Sequence, residues 1–132
     1  MTHWGQEYKP KSLKEEQDLA HKMIDTGVDM VIGGHPHVTQ EIEIYNDHLI
    51  FYSLGNFIFD QYFSKETQEG LAVGLEIYPG KKIFNLYPTK NIGSQARLME
   101  GDEKQVFLDN LAEKSSYALQ DFIKQGKIEI NK

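Results

Sequence analysis

The feature that most constrains this chain is an apolar run at residues 28–32 (Val-Asp-Met-Val-Ile), followed at once by Gly-Gly-His-Pro-His at residues 33–37. A short apolar run bounded by glycines predicts a buried strand. Glycine lets the backbone turn sharply, and proline restrains the residue before it. Because imidazole is the commonest protein ligand for transition metals, His35 and His37 are predicted to form a metal-ligand loop. The alternative is a surface loop whose histidines only hydrogen-bond locally.

The segment before this strand reads as a helix. Ser12 and Glu15 have the spacing of a capping box, and Gly27 stands where a helix would end. A helix followed almost directly by a buried strand predicts an α/β unit. Asp29 lies inside the apolar run, where an unpaired charge is costly, so we expect it to have a partner or to lie at the strand's edge.

The middle of the chain predicts two hairpins. Residues 40–45 and 48–54 flank the turn Asn46-Asp47, and residues 71–78 and 83–87 flank a turn at 79–82. A final helix is predicted from Asp102 to about Gln125, ending at Gly126. Its inward side chains are predicted to be Leu108, Leu111, Ala112, Leu119 and Phe122. The sequence therefore predicts one α/β piece with a mainly β middle.

The composition limits the kinds of partner and site that this chain can have. The net charge of −6 over 132 residues argues against nucleic acid as a partner, because phosphate binding relies on clustered Lys and Arg. No segment approaches the roughly 18 apolar residues of a membrane span. With no cysteine in the chain, a metal would have to be held by His, Asp, Glu or Asn. Ser53 lacks the Gly-x-Ser-x-Gly context of a serine nucleophile, and no Gly-rich phosphate loop is present.

A second candidate loop opens the chain, where His3, Trp4 and Gly5 precede Glu7. This segment reads as a loop leaving a sheet although no strand precedes it, so we expect the fold to begin upstream of Met1. His3 is a candidate ligand and Glu7 a candidate acid; the alternatives are a structural histidine and an ordinary exposed carboxylate. His21 and His48 are predicted to be structural.

Four motifs occur in order at residues 3–8 (His-Trp-Gly-Gln-Glu-Tyr), 24–29 (Ile-Asp-Thr-Gly-Val-Asp), 34–40 (Gly-His-Pro-His-Val-Thr-Gln) and 52–60 (Tyr-Ser-Leu-Gly-Asn-Phe-Ile-Phe-Asp). Together they resemble the poly-γ-glutamate capsule-synthesis (CapA-type) proteins, from His3 to roughly Gly74. That family is similar to the calcineurin-like metallophosphoesterases, which have a four-layer α/β/β/α sandwich. The resemblance implies that residues 1–132 are the C-terminal part of one such domain, with mixed sheet and hairpins, whose N-terminal half is absent.

The resemblance also implies a site. His3, His35 and His37 correspond to the C-terminal ligands of two divalent ions, Mn, Zn or Fe, in the complete domain. Glu7 is implied as a catalytic or substrate-side acid. If so, the three imidazoles should converge within about 8 Å, each able to reach an ion at about 2.0–2.1 Å. Asn56 and Asp60 are predicted to have a structural role beside the site, with substrate contact as the alternative.

The implied activity is metal-dependent hydrolysis or transfer on an anionic polymer or phosphoester, in making or exporting poly-γ-glutamate or a related surface polymer. The chain alone is expected to be inactive, and its implied partners are the missing half or other polymer-synthesis proteins. The full-length form is implied to lie at the bacterial cell surface or membrane. The alternative is a non-catalytic scaffold of a membrane synthase complex, consistent with an exposed aromatic stretch at residues 57–63 that would favour association.

Overall fold

The computed structural model describes residues 1–131. The strands are β1 (Thr2–His3), β2 (Val31–Gly34), β3 (Ile42–Tyr45), β4 (His48–Phe51), β5 (Glu69–Tyr78), β6 (Lys81–Ile92), β7 (Gln95–Leu98) and β8 (Lys127–Asn131). The helices are α1 (Lys14–Asp25), α2 (Lys65–Gln68), α3 (Gly101–Lys114) and α4 (Gln120–Lys124), with a 3-10 turn at Tyr117–Leu119 before α4.

The first sheet has the strand order β1-β2-β4-β3. The pairs β1/β2 and β2/β4 are parallel, whereas β3/β4 is antiparallel, so the sheet is mixed. Because β1, β2 and β4 run in the same direction, the loops that follow them leave from one edge of the sheet. This edge is where the candidate ligands lie.

The two faces of this sheet belong to different cores, as the alternation of side chains in a strand requires. Ile50 and Tyr52 pack with α1 residues Ala20 and Ile24. Leu49 and Phe51, the neighbours of Ile50 on β4, point to the opposite face. There they join a larger core that also includes residues of β5, β6, β8, α3 and α4. Its members from the first sheet are Ile42, Leu49 and Phe51. The first sheet is thus covered on both sides.

The second sheet is antiparallel, in the order β5-β6-β7, with β8 also paired to β6. The predicted α/β class with mixed sheet and hairpins is confirmed. In the first hairpin both turn residues have positive φ, 47° at Asn46 and 63° at Asp47, as a two-residue turn matched to the strand twist requires. None of the helices within residues 1–131 has the length and apolarity to span a membrane.

The predicted strand at 28–32 was placed about three residues too early. Val28 is 38% exposed, and β2 instead includes both glycines of the loop motif. Asp29 has the expected partner, since its carboxylate lies 3.0 Å from Nζ of Lys82. Gly27 does follow the end of α1, with φ of 100°.

The predicted capping box at Ser12 was also wrong by one position. The side chain that bonds back to the helix start is Glu16, which accepts from the Leu13 amide at 2.9 Å. The Ser12 hydroxyl instead donates to Glu41 at 2.5 Å, so it ties α1 to the segment before β3.

The single helix predicted from Asp102 to Gln125 is interrupted at Ser115. Its hydroxyl accepts from the Ile42 amide at 2.9 Å and donates to the Leu111 carbonyl at 2.7 Å, which ends α3. After the break the helical face is rotated, so Ile123 is buried while Phe122, predicted to point inward, is 42% exposed. The other four predicted core residues of this segment are buried.

Candidate metal centre

The opening loop and the His-Pro-His loop lie side by side because β1 and β2 are parallel neighbours. His3 ends β1 and pairs with Gly34, the last residue of β2, so His35 follows immediately beside it. The ring centroids of His3 and His35 are 4.4 Å apart, and those of His35 and His37 are 5.9 Å apart. His3 thus lies beside His35, and His35 lies near His37. The convergence of all three imidazoles within about 8 Å, and their role as ligands, stay predictions.

Glu7, His35 and His37 form a group of potential ligand atoms, one atom from each, all within 4.8 Å of one another. Oε1 of Glu7 lies 3.9 Å from Nε2 of His37. His3 adjoins His35 but is outside this group. Glu7, interpreted from sequence as a substrate-side acid, is therefore placed among the candidate ligands themselves.

Two backbone hydrogen bonds hold the loops together. The Trp4 amide donates to the Gly34 carbonyl at 3.1 Å, and the Tyr8 amide donates to the Pro36 carbonyl at 2.8 Å. The loop carrying Glu7 is thereby fixed against the loop carrying both histidines. The carboxylate of Glu7 and the imidazoles of His35 and His37 are therefore carried by two loops whose backbones are held together.

Backbone strain is concentrated at this site. His35 has φ of 102°, His37 has φ of 62° and Tyr8 has φ of 64°. Non-glycine residues rarely occupy this region, and each such conformation costs on the order of 1–3 kcal/mol. The rest of the fold maintains that strain, and strained residues of this kind cluster at functional sites.

Asn56 fixes the orientation of His37. Its Nδ2 donates to the Thr67 carbonyl at 2.9 Å, which leaves Oδ1 as the acceptor facing Nδ1 of His37, also at 2.9 Å. Nδ1 is then the donor of this hydrogen bond, which leaves Nε2, the nitrogen that faces Glu7, as the one available to an ion. A histidine held through one nitrogen and free at the other is the usual arrangement of a metal-binding histidine. Asn56 thus lies beside the site as predicted, whereas Asp60 is exposed.

The floor of the site depends on a glycine. A Cβ on Gly33 would lie 2.1 Å from the Tyr52 carbonyl oxygen and 2.4 Å from Nε1 of Trp4. The missing side chain lets the buried Trp4 indole donate to that carbonyl at 2.9 Å. Burial, and then the hydrogen bond from its hydroxyl to Glu43 at 2.6 Å, raise the pKa of Tyr52, so its hydroxyl remains a donor.

Aromatic rings form a wall around His37. Its imidazole lies 5.0 Å from Phe59 and 6.0 Å from Tyr8, measured between ring centroids. Sequence reasoning missed both contacts, although both residues fall within the quoted motifs. The His37 side chain is 19% exposed and that of Glu7 is 49% exposed, so the group remains open to solvent on one side.

The donor set fits a divalent ion. Two imidazoles and a carboxylate suit Zn, Mn or Fe, and one of the imidazoles already has its second nitrogen held. The other histidines in residues 1–131 have local partners that agree with their predicted structural roles. His21 lies 2.9 Å from Glu43 and stacks on Tyr45, and Nδ1 of His48 lies 2.9 Å from the Asp29 carbonyl.

Comparison with known proteins gives a family match over this part of the chain. Residues 1–61 match the family described as bacterial capsule synthesis protein PGA_cap. The chain is 46% identical to the capsule biosynthesis protein CapA of Bacillus anthracis over 71 residues, which are 54% of this chain and 17% of that protein. It is 47% identical to the PGA biosynthesis protein CapA of Bacillus subtilis over 71 residues, 54% of this chain and 19% of that protein.

A more distant match is a probable polyglutamine synthesis accessory protein of Mycobacterium tuberculosis, 36% identical over 58 residues, which are 44% of this chain and 15% of that protein. The chain thus spans less than a fifth of the length of these curated relatives. The match includes Glu7 and the three candidate histidines His3, His35 and His37, since these lie within residues 1–61.

Proposed function

Residues 1–61 of this chain belong to the CapA-type family of bacterial capsule-synthesis proteins, and from that premise we propose that the chain supplies part of a metal centre acting on poly-γ-glutamate or a related anionic surface polymer. The supporting observation is the group formed by Glu7, His35 and His37, whose ligand atoms lie within 4.8 Å of one another. The reaction class is metal-dependent hydrolysis or transfer.

Each residue has a distinct task in this proposal. His35 and His37 hold the ion through imidazole nitrogens, and Glu7 completes the group with a carboxylate oxygen instead of acting as a free acid. His3, whose ring lies 4.4 Å from that of His35, is the candidate ligand for a second ion. An ion held by Glu7, His35 and His37 would supply Lewis-acid polarisation of an anionic oxygen of the substrate. Asn56 keeps the proton of His37 on Nδ1, so that Nε2 stays available.

The family match also bears on the architecture of the complete domain. We propose a calcineurin-like four-layer sandwich as the architecture of the complete domain, with further ligands contributed by protein segments outside this chain. The first sheet supports this, because α1 covers one of its faces while the other face packs toward the second sheet. The location at the bacterial surface and the polymer-synthesis partners are part of the same proposal.

A second candidate function is a non-catalytic interaction module. Five large side chains between β4 and α2 are exposed by 41% to 66%: Phe57, Ile58, Phe59, Tyr62 and Phe63. Large apolar side chains exposed together in one segment favour association with a partner. The observation favours a partner that covers this stretch, and it is compatible with a metal centre as well.

Titration of Zn²⁺ or Mn²⁺ into the chain by calorimetry tests the metal proposal. We expect saturable binding by the unaltered chain, and a loss of affinity of about 100-fold or more in the double variant His35→Ala/His37→Ala, because two of the three ligands are removed. His48→Ala is the matched control, since that histidine has a backbone partner elsewhere, and it should bind as the unaltered chain does.

The same samples separate the two candidate functions. Circular dichroism establishes that the variants are folded, and sedimentation gives the mass of each species. A chain that binds no ion and sediments as a stable oligomer would reject the metal centre and support the interaction module. Equal binding by the double variant and by His48→Ala would also reject the centre.

A further inference from the structure

A cavity next to the metal-ligand group is lined in part by Tyr8. Its volume is about 400 Å³, and its walls come from residues 8–10, residues 38–39, the α2 region and α3. This volume falls within the roughly 300–1,000 Å³ of small-molecule sites. Tyr8 belongs to both places, because it lines the cavity while its ring stacks on His37 at 6.0 Å. A ligand in the cavity would thus adjoin the metal-ligand group.

Besides Lys65, which is paired with Glu69, this cavity is lined by a second lysine, Lys114. It ends α3, and its ammonium donates to the Thr39 backbone carbonyl. Partial burial lowers the pKa of Lys114, while Glu41 and Glu69 nearby act in the opposite direction. No carboxylate within residues 1–131 forms a salt bridge with it, and an ammonium has three donors. Donor capacity therefore remains for an anionic ligand.

The acidic groups of the cavity wall have partners of their own. Glu69 lies 3.3 Å from Nζ of Lys65, and burial raises the pKa of its carboxyl group. Hydrogen bonds from its own backbone and from Ser64 lower the pKa of Glu66. Neither carboxylate therefore neutralises Lys114 by direct contact.

The remaining wall is largely apolar. Val38, Phe107 and Leu111 are buried side chains that line the cavity. An apolar wall beside the Lys114 ammonium, which has no salt bridge within residues 1–131, suits a ligand that combines methylene groups with a carboxylate, since the methylenes leave water and the charge is paired. Inorganic anions would leave this apolar surface unused.

We propose that this cavity holds a γ-glutamyl unit of the polymer, its carboxylate on Lys114 and its methylenes against Val38 and Phe107, with the adjacent bond of the polymer at the metal-ligand group. This substrate assignment rests on the proposed function. Lys114 and Phe107 lie on α3, outside residues 1–61, so this helix completes the subsite with residues that are not part of the family match.

Binding of a γ-linked glutamate tripeptide to the full chain tests the assignment, measured by calorimetry without metal. We expect Lys114→Met to weaken binding by about tenfold or more, because a charge-assisted hydrogen bond is lost while the aliphatic stem is kept. Lys124→Met, which removes an exposed lysine of α4, is the matched control and should change affinity less than twofold. The γ-linked isoglutamine tripeptide, in which α-carboxamides replace the pendant α-carboxylates, should bind the unaltered chain as weakly as the glutamate tripeptide binds Lys114→Met.

Chemical-shift mapping on the unaltered chain keeps the test independent of how well Lys114→Met folds. The glutamate tripeptide should shift the amides of Thr39, Asn110 and Leu111. No tripeptide binding, equal loss in both lysine variants, equal binding of free glutamate, or shifts confined to other surfaces would each overturn the subsite. Lys114-dependent binding by a chain that takes up no Zn²⁺ would support the subsite while rejecting the metal centre, so the two failures are distinguishable.

Discussion

Gly33→Ala is expected to destabilise the chain by about 3 kcal/mol or more, among the larger effects of a single substitution. The added Cβ would lie 2.1 Å from the Tyr52 carbonyl oxygen and 2.4 Å from Nε1 of Trp4. Neither can withdraw easily, because the carbonyl belongs to the backbone next to β4 and the buried indole donates to it. Urea denaturation should show a lower midpoint for this variant or no folded baseline.

Gly34→Ala is the matched control, because a Cβ at this position meets no atom within 4 Å and the φ of Gly34 lies outside the left-handed region. We expect its unfolding free energy to change by less than about 1 kcal/mol. Equal destabilisation by the two substitutions would show that the close approach of Trp4 and Tyr52 does not determine the need for glycine at position 33.

Asn56→Ala is expected to lower metal affinity by about 10- to 100-fold, the usual effect of removing a residue that orients a metal-binding histidine. The same substitution leaves the Thr67 carbonyl without its side-chain donor, which should lower the free energy of unfolding by about 1–3 kcal/mol. Calorimetric titration with Zn²⁺ and urea denaturation measure the two effects separately.

The control for Asn56 is Asn85→Ala. Nδ2 of Asn85 donates to Glu76 at an exposed position on the second sheet, so its removal should change neither quantity appreciably. Loss of stability without any loss of affinity in Asn56→Ala would mean that the hydrogen bond to Nδ1 does not orient His37 for an ion. Loss of activity in a full-length relative without loss of stability would instead favour substrate contact.

The site was the more predictable part of this chain, for a topological reason. The sequence places His35 soon after an apolar run and His3 in a segment that reads as a loop leaving a sheet, and parallel neighbouring strands bring their carboxyl ends to one edge of a sheet. The two loops are therefore expected from the sequence to meet, as His3 and His35 do. What the motifs could not supply was the assignment of Glu7 to the ligand group, because that depends on the Tyr8 amide bonding to the Pro36 carbonyl across the two loops.

The errors arose where distant contacts overrode local preference. The strand at 28–32 was placed by its apolar residues, but β2 extends into two glycines because Trp4 and Tyr52 require the space at Gly33. The long final helix ends at Ser115 because that residue bonds to Ile42, 73 positions away. Neither contact can be read from the residues near it in the sequence. The same holds for the cavity beside Lys114, because its walls come from segments that are far apart in the sequence.

Imidazole ¹⁵N NMR of the chain, recorded with and without one equivalent of Zn²⁺, observes the central claim at the atoms concerned. Addition of Zn²⁺ should shift Nε2 of His37 and one nitrogen of His35 to values typical of metal-bound nitrogen. Nδ1 of His37 should keep its proton, held by Asn56, and the signals of His21 and His48 should not move. Unchanged signals from His35 and His37, or equal shifts at all five histidines, would contradict a metal centre built from Glu7, His35 and His37.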